Sequence, residues 1–227
     1  MQNLGVDIII KAFPRLLEGI GETLKISLVA LVLSVIFGVV VGVLMTLENR
    51  PLKVMLRVLL EAFRLVHPLI WLFVFFFIPV GLFHIETDNV AVSIIVFTLW
   101  GMFEIGDYVR GFITSLSKSQ FDSSIALGLS RPQMYIHVLL PQIIVMITPS
   151  IVNLATRLIK TTTLVHLISV SEVLKVAQNI IQVTYLRNPN SYISFTMYLV
   201  LLVIYFIICY PLSLLARYLE KRLQVNQ

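Results

Sequence analysis

Apolar residues run through this chain in long blocks separated by short polar stretches, and the length of the blocks sets the first expectation. A helix that crosses the hydrocarbon core of a bilayer needs about 20 mostly apolar residues. The first block that long is Thr23–Leu47, TLKISLVALVLSVIFGVVVGVLMTL. The second runs from about Glu61 to Leu82 through WLFVFFFIPVGL, and the third covers about Val90–Ile113. The fourth, about Val138–Ile168, contains Pro149 and is expected to bend there, because proline removes a helical hydrogen bond. The fifth is Tyr192–Leu215. The pattern predicts an all-α integral membrane protein with about five transmembrane helices.

The polar margins complete the expected organisation. Before the first block, apolar clusters are broken by Asp7, Lys11, Arg15 and Glu18, so residues 1–22 read as an amphipathic segment on the bilayer surface. The first apolar run is longer than a signal-peptide core, and no cleaved signal is expected. The membrane domain is expected over 23–216, with a basic tail at 217–227. Lys and Arg concentrate in cytoplasmic loops of membrane proteins. Here they gather in the first loop (Arg50, Lys53, Arg57), the third (Lys118, Arg131) and the tail (Arg217, Lys221, Arg222). The second loop, FHIETDN, has none, whereas the fourth holds Lys175 and Arg187. The bias predicts an outside N-terminus and an inside C-terminus.

Composition agrees and excludes other classes. Hydrophobic residues make up 58% of the chain and charged residues 13%, with a mean hydropathy of +0.95. A soluble domain carries roughly 25% charged residues. The net charge of +5 is scattered along the chain and gives no nucleic-acid signature. Cys209 is the single cysteine, so no internal disulfide and no Cys/His metal cluster is expected.

One polar stretch, residues 118–142, stands out between two spans. Phe121, Ile125 and Leu129 recur at i, i+4 and i+8, the stripe of a short amphipathic helix. Ser123, Ser124 and Ala126 keep the intervening surface small, and Asp122 suits the positive end of the helix dipole. Gly128 is placed for the turn that ends the helix. Ser130 and Gln133 have capping-box spacing for a second helix, with Pro132 in its first turn. Pro141 opens the next span. On the residues alone, a lipid-surface loop and a protein-docking element both remain open.

This stretch resembles the hallmark of permease subunits of binding-protein-dependent ABC importers, which read Glu-Ala-Ala, three residues, Gly, then about ten residues to Leu-Pro. Here the positions hold Asp122-Ser123-Ser124, Gly128 and Leu140-Pro141. The string SQFDSSIALGLSRPQMYIHVLLPQ is most similar to the polar amino acid branch. GETLKISLVAL, DYVRGFI, TPSIVNLATRLIKTTTL and VSEV resemble further elements of that branch, so the likeness covers nearly the whole chain. Arg64-Leu65-Val66-His67-Pro68 replaces the branch's usual Arg-Gly-Thr-Pro, and Lys160-Thr161 replaces Lys followed by an acid. The resemblance implies two permease subunits, identical or different, two cytoplasmic ATPases and an extracytoplasmic solute-binding protein. It implies that ATP and Mg sit on the ATPases and that this chain binds no cofactor. It also implies a bacterial cytoplasmic membrane, and an ATPase groove for residues 121–129. The chain itself contains no Gly-x-x-x-x-Gly-Lys-Ser/Thr loop.

Charges inside spans are costly and are functional candidates by default. Arg64 and His67 lie near the start of the second span, with Glu61 placed to pair with Arg64. Glu104, Asp107 and Arg110 follow i, i+3 spacing in the third, and Arg157 and Lys160 do so in the fourth. An amino acid carries an ammonium and a carboxylate. A pathway for it calls for donors such as Arg64, Arg110 or Asn153 and acceptors such as Glu104. Intramolecular pairing or snorkelling is the competing reading, favoured for Asp107, and a packing role is favoured for His67. Thr161 stands where many relatives have an acid, which predicts weaker selectivity for cationic side chains. Rival classes are less well supported. No Gly-x-Ser-x-Gly or His-Glu-x-x-His motif marks an embedded enzyme, and no repeat of helices marks an ion-coupled carrier. A scaffold subunit without a pathway of its own, or a permease for another small polar solute, stays open.

Overall fold

The computed structural model describes residues 6–115, 123–189 and 192–224, and within them all regular structure is helical. Helix α1 spans Val6–Leu44 without a break. At 1.5 Å per residue its 39 residues extend about 58 Å, well beyond a hydrocarbon core of about 30 Å. The expected surface segment and the first span are thus parts of one helix.

The second expected span is not one helix. It is a pair, α2 (Arg50–Leu65) and α3 (Pro68–Phe83), whose axes meet at 105°. The cause is local. Pro68 disfavours helical backbone in the residue before it, and Val66 and His67 are extended. His67 Nδ1 then accepts from Leu69 N at 3.3 Å and caps α3. The single span expected over Glu61–Leu82 is corrected accordingly. Helix α3, at about 24 Å, crosses less than a full hydrocarbon core.

Helix α4 (Asn89–Ser115) packs parallel to α1 along a seam of small residues. A Cβ on Gly42 would stand 2.5 Å from Val109 Cβ, and one on Gly38 would stand 2.7 Å from Ile105 Cβ. Ser34 Oγ donates to Thr98 O at 3.1 Å across this seam. Close approach of this kind replaces the hydrophobic drive that helices lack within lipid.

Helix α5 (Leu140–Thr161) follows a π-helical turn at Tyr135–Leu139 and ends in a 3-10 segment, Thr162–Ile168. Pro149 lies inside the α-helical stretch and is buried, and the departures from α geometry are at the two ends. The loop expected after it contains a helix, α6 (Val173–Arg187). Glu172 caps α6 by accepting from Leu174 N and Lys175 N, both at 2.8 Å. The α6 face Val173, Ala177, Ile180 and Ile181 packs on Ala12 and Leu16 of α1. Helix α7 (Ile193–Gln224) carries the fifth span and continues as helix through the basic segment.

Four of these helices are long and apolar enough to cross a membrane, and the bent pair makes a fifth crossing if taken as one. The first turns of α1, residues 84–88 and α6 share one end of the bundle. Asn89 Nδ2, donating to Ile168 O at 2.6 Å, ties that end together.

Candidate functional site

The α2–α3 break places a cavity of about 240 Å³ against α4 and α5. Irregular backbone at membrane depth persists only where protein or a water-filled cavity surrounds it. From the last turns of α2 come Leu60, Phe63 and Arg64. Helix α4 contributes Trp100, Phe103, Glu104 and Tyr108, which share one face at helical spacing, and α5 contributes Arg157. Phe63 stacks between Trp71 at 4.3 Å and Phe103 at 5.1 Å and closes the apolar wall.

The charged groups form two linked sets. Asp107 Oδ2 accepts from Arg64 Nη2 at 2.6 Å. Its Oδ1 accepts from Arg110 Nη2 at 2.6 Å and Nε at 3.1 Å. Glu61 Oε1 lies 3.8 Å from Arg64 Nη1. Glu104 Oε1 accepts from Tyr108 Oη at 2.8 Å and from Arg157. The Arg157 guanidinium lies 5.4 Å from the Trp100 ring centroid, in cation–π range. Side-chain exposure separates the signs. Glu104 is 16% and Asp107 17% exposed, whereas Arg64 is 54% and Arg157 47% exposed. Among the described residues Glu104 accepts two hydrogen bonds and Asp107 three, whereas Arg64 and Arg157 each donate one N–H group to a carboxylate and leave others without a partner. The cavity therefore presents donors, a surface that suits a carboxylate. A second cavity of about 460 Å³ adjoins it through Leu60 and Arg64 and is lined by Lys53, Arg57 and Arg110.

Of the candidates read from the sequence, Arg64, Glu104 and Arg157 meet at this cavity, and Arg110 lines the second cavity and is joined to Arg64 through Asp107. His67 serves as the α3 cap. Asn153 Nδ2 donates to Glu220 Oε1 at 3.0 Å, on α7 and away from the cavity. Thr161 Oγ1 donates to Arg157 O at 2.8 Å within α5, and Lys160 does not line the cavity. Trp100, Phe103 and Tyr108 were not among the candidates. Their signal was the shared face with Glu104.

In the stretch 118–142, Phe121 and Asp122 lie outside the described residues. Residues 123–126 form a helical turn, followed by Gly128 at φ 75°. Gly128 N donates to Ile125 O at 2.9 Å and Leu129 N to Ser124 O at 3.2 Å, the paired bonds of a Schellman ending. Ser130 N donates to Gln133 Oε1 at 2.9 Å, one half of the expected capping box. Ser124 is buried, Leu129 is half-buried, Ala126 is exposed, and Pro141 opens α5 on its surface. Ile125 and Leu127 are 67% and 79% exposed. This short helical turn offers apolar side chains to whatever covers it.

Residues 34–225 match the family model described as "binding-protein-dependent transport system inner membrane component". The chain belongs to that family. A probable amino-acid ABC transporter permease of Bacillus subtilis, YckA, is 31% identical over 217 residues, covering 94% of this chain and 91% of the relative. A probable glutamine ABC transporter permease of the same organism, GlnM, is 27% identical over 97% of this chain and 99% of its own length. Among solved structures, an amino acid ABC transporter with histidines superposes with a TM-score of 0.81 over 94% of this chain and 96% of its own, at 21% identity. That likeness shows the fold, an all-helical bundle.

Proposed function

We propose that this chain is the membrane-spanning subunit of an ATP-driven amino-acid importer, with the cavity at the α2–α3 break as its solute site. The observation that carries this is the pair of half-open guanidiniums, Arg64 and Arg157, facing a cavity at a helix break inside a membrane bundle. A solute α-carboxylate fits between such donors. Its ammonium is met by Glu104, whose bond to Arg157 is exchanged as the guanidinium turns to the carboxylate. Relatives named for glutamine and amino acids support this class of solute. The N-terminus lies outside and the C-terminus inside the bacterial cytoplasmic membrane, by the distribution of Lys and Arg.

Hydrolysis takes place on two separate ATPase subunits, which carry ATP and Mg. A second permease, of the same or a related sequence, completes the pathway, and an extracytoplasmic binding protein delivers the solute. Residues 121–129 dock on the ATPase, led by exposed Ile125 and Leu127, and the turn at Gly128 directs the chain into α5. Alternating access follows as ATP draws the two docked segments together.

The test is co-purification with the cognate ATPase, followed by binding-protein-stimulated ATP hydrolysis across an amino-acid panel. Stimulation by at least one amino acid is expected, without a strict Arg/Lys preference. Silence across the panel in an assembled complex would sink the amino-acid reading. Gly128→Arg is expected to insert normally but to lose the ATPase on purification. The position is exposed with open space around it, but its φ of 75° disfavours a side chain. Retention of the ATPase by that variant places the dock elsewhere.

A further inference from the structure

A groove of about 680 Å³ lies at the other end of the bundle, between the first turns of α1 and the last turns of α6. Its lining carries Lys11 and Arg15, one turn apart on α1, and Arg187 in the last turn of α6, against the single carboxylate of Glu18. None of these three cations forms an ion pair among the described residues. The arginines at the transport cavity contrast with them, since each is held by a carboxylate.

The surroundings fix the kind of surface this is. Within the groove, half-buried Ile8 of α1 and Val183 of α6, 51% exposed, stand beside the cations. Ala12 and Leu16 of the same α1 turns share one buried cluster with α6 and with Ile193, Met197 and Leu201 at the start of α7. That part of α7 exposes Phe195, Tyr198, Leu199 and Leu202, as a helix in lipid does. Half-exposed Tyr185 and Tyr192 lie at the same end, with Ser194 Oγ donating to Tyr185 Oη at 3.0 Å. Tyrosines in such a ring mark the level where acyl chains give way to headgroups. Cations without an ion pair among the described residues, apolar groove lining and half-exposed tyrosines thus share this end of the bundle.

We propose that this groove binds the headgroup of an anionic phospholipid. Lys11, Arg15 and Arg187 hold the phosphodiester, and an acyl chain lies over Ile8 and Val183. A surplus of positive charge selects phosphatidylglycerol-type over zwitterionic headgroups. The site depends on the spans and is independent of which solute is carried.

The test uses the full-length chain in phosphatidylcholine nanodiscs doped with spin-labelled phosphatidylglycerol, reading the immobilised lipid fraction. Wild type is expected to immobilise phosphatidylglycerol in preference to labelled phosphatidylcholine. The triple variant Lys11→Gln, Arg15→Gln, Arg187→Gln is expected to lose that preference roughly tenfold or more. The charge-keeping variant Lys11→Arg, Arg15→Lys, Arg187→Lys is expected to retain most of it. Equal immobilisation of both lipids by wild type overturns the proposal, even if the triple variant fails to fold. So does an unchanged preference in the folded triple variant. Loss of binding-protein docking with lipid preference intact would assign the groove to a protein.

Discussion

Helix α4 has two faces that obey opposite rules. One face meets α1 along Gly101, Ile105 and Val109, fully packed and without charge, with the Ser34 hydroxyl as its polar bridge. The other carries Glu104, Asp107, Tyr108 and Arg110, each in a polar contact and beside open volume. The first face has no room for a methyl group at its glycines, and the second borders open volume. The contrast shows how a permease holds a charged cavity open in lipid: the cavity wall is fastened from behind by a seam that cannot slide.

The strongest way to break this comparison is Gly42→Leu. The new side chain collides with Val109 and with the Gly106 carbonyl, and little in the backbone can yield. Overpacking costs about 1–3 kcal/mol or more, and loss of monodisperse protein is expected in size-exclusion chromatography. Folded protein with unchanged melting would show that the seam is soft. Asp107→Asn should act on the other face alone. It removes the charge shared by Arg64 and Arg110, so solute-stimulated ATP hydrolysis should fall by roughly tenfold or more as Arg64 loses its anchor. Membrane insertion should change little, and melting should fall only modestly because both arginines reach solvent. A variant that loses both equally would merge the two faces into one structural unit.

The smallest effect sharpens the comparison at a third carboxylate, Glu172. It is fully buried like the seam and ionisable like the cavity, but its hydrogen bonds come from backbone N–H groups, not arginines. Burial pushes its carboxyl above the ordinary range, and the N–H donors of Leu174 and Lys175 only partly oppose this. A carboxyl raised in the fold contributes stability below its unfolded pKa and loses it as pH rises through its folded value. Glu172→Gln lacks that loss. Its melting temperature should gain on wild type as pH rises above about 4, the ordinary glutamate value, by a few degrees at most in fluorescence-monitored melting. A difference that stays flat with pH would mean the carboxyl is held as an anion by its cap.

Much of this architecture was legible because apolar block length responds to one physical constraint, the thickness of the bilayer. The third and fifth spans fell close to where the blocks placed them, and α1 contains nearly all of the first. The break at His67 was hidden because the residues around it are apolar enough for either a continuous or a broken span. Pro68 carried the signal through its effect on the preceding residue. Helix α6 was missed because Lys175 and Arg187 read as loop charges, although Val173, Ala177 and Ile180 kept helical spacing. At the site, Arg64, Glu104 and Arg157 stood out because charge is rare inside spans. Trp100, Phe103 and Tyr108 did not, since lipid-facing helices are rich in aromatics. Asn153 pairs with Glu220 because α7 stays helical beyond Leu215, where a tail had been expected.

The α1–α4 seam also has a schedule. Ser34 and the Thr98 carbonyl it bonds are 64 residues apart in the chain. At roughly 5–20 residues per second, the ribosome needs about 3–13 s to make the second half after the first. Throughout that interval the glycine face of α1 sits in the membrane without its mate. Its freedom from charge lets it wait there, and the helix that later carries the ion pairs is the one that completes it.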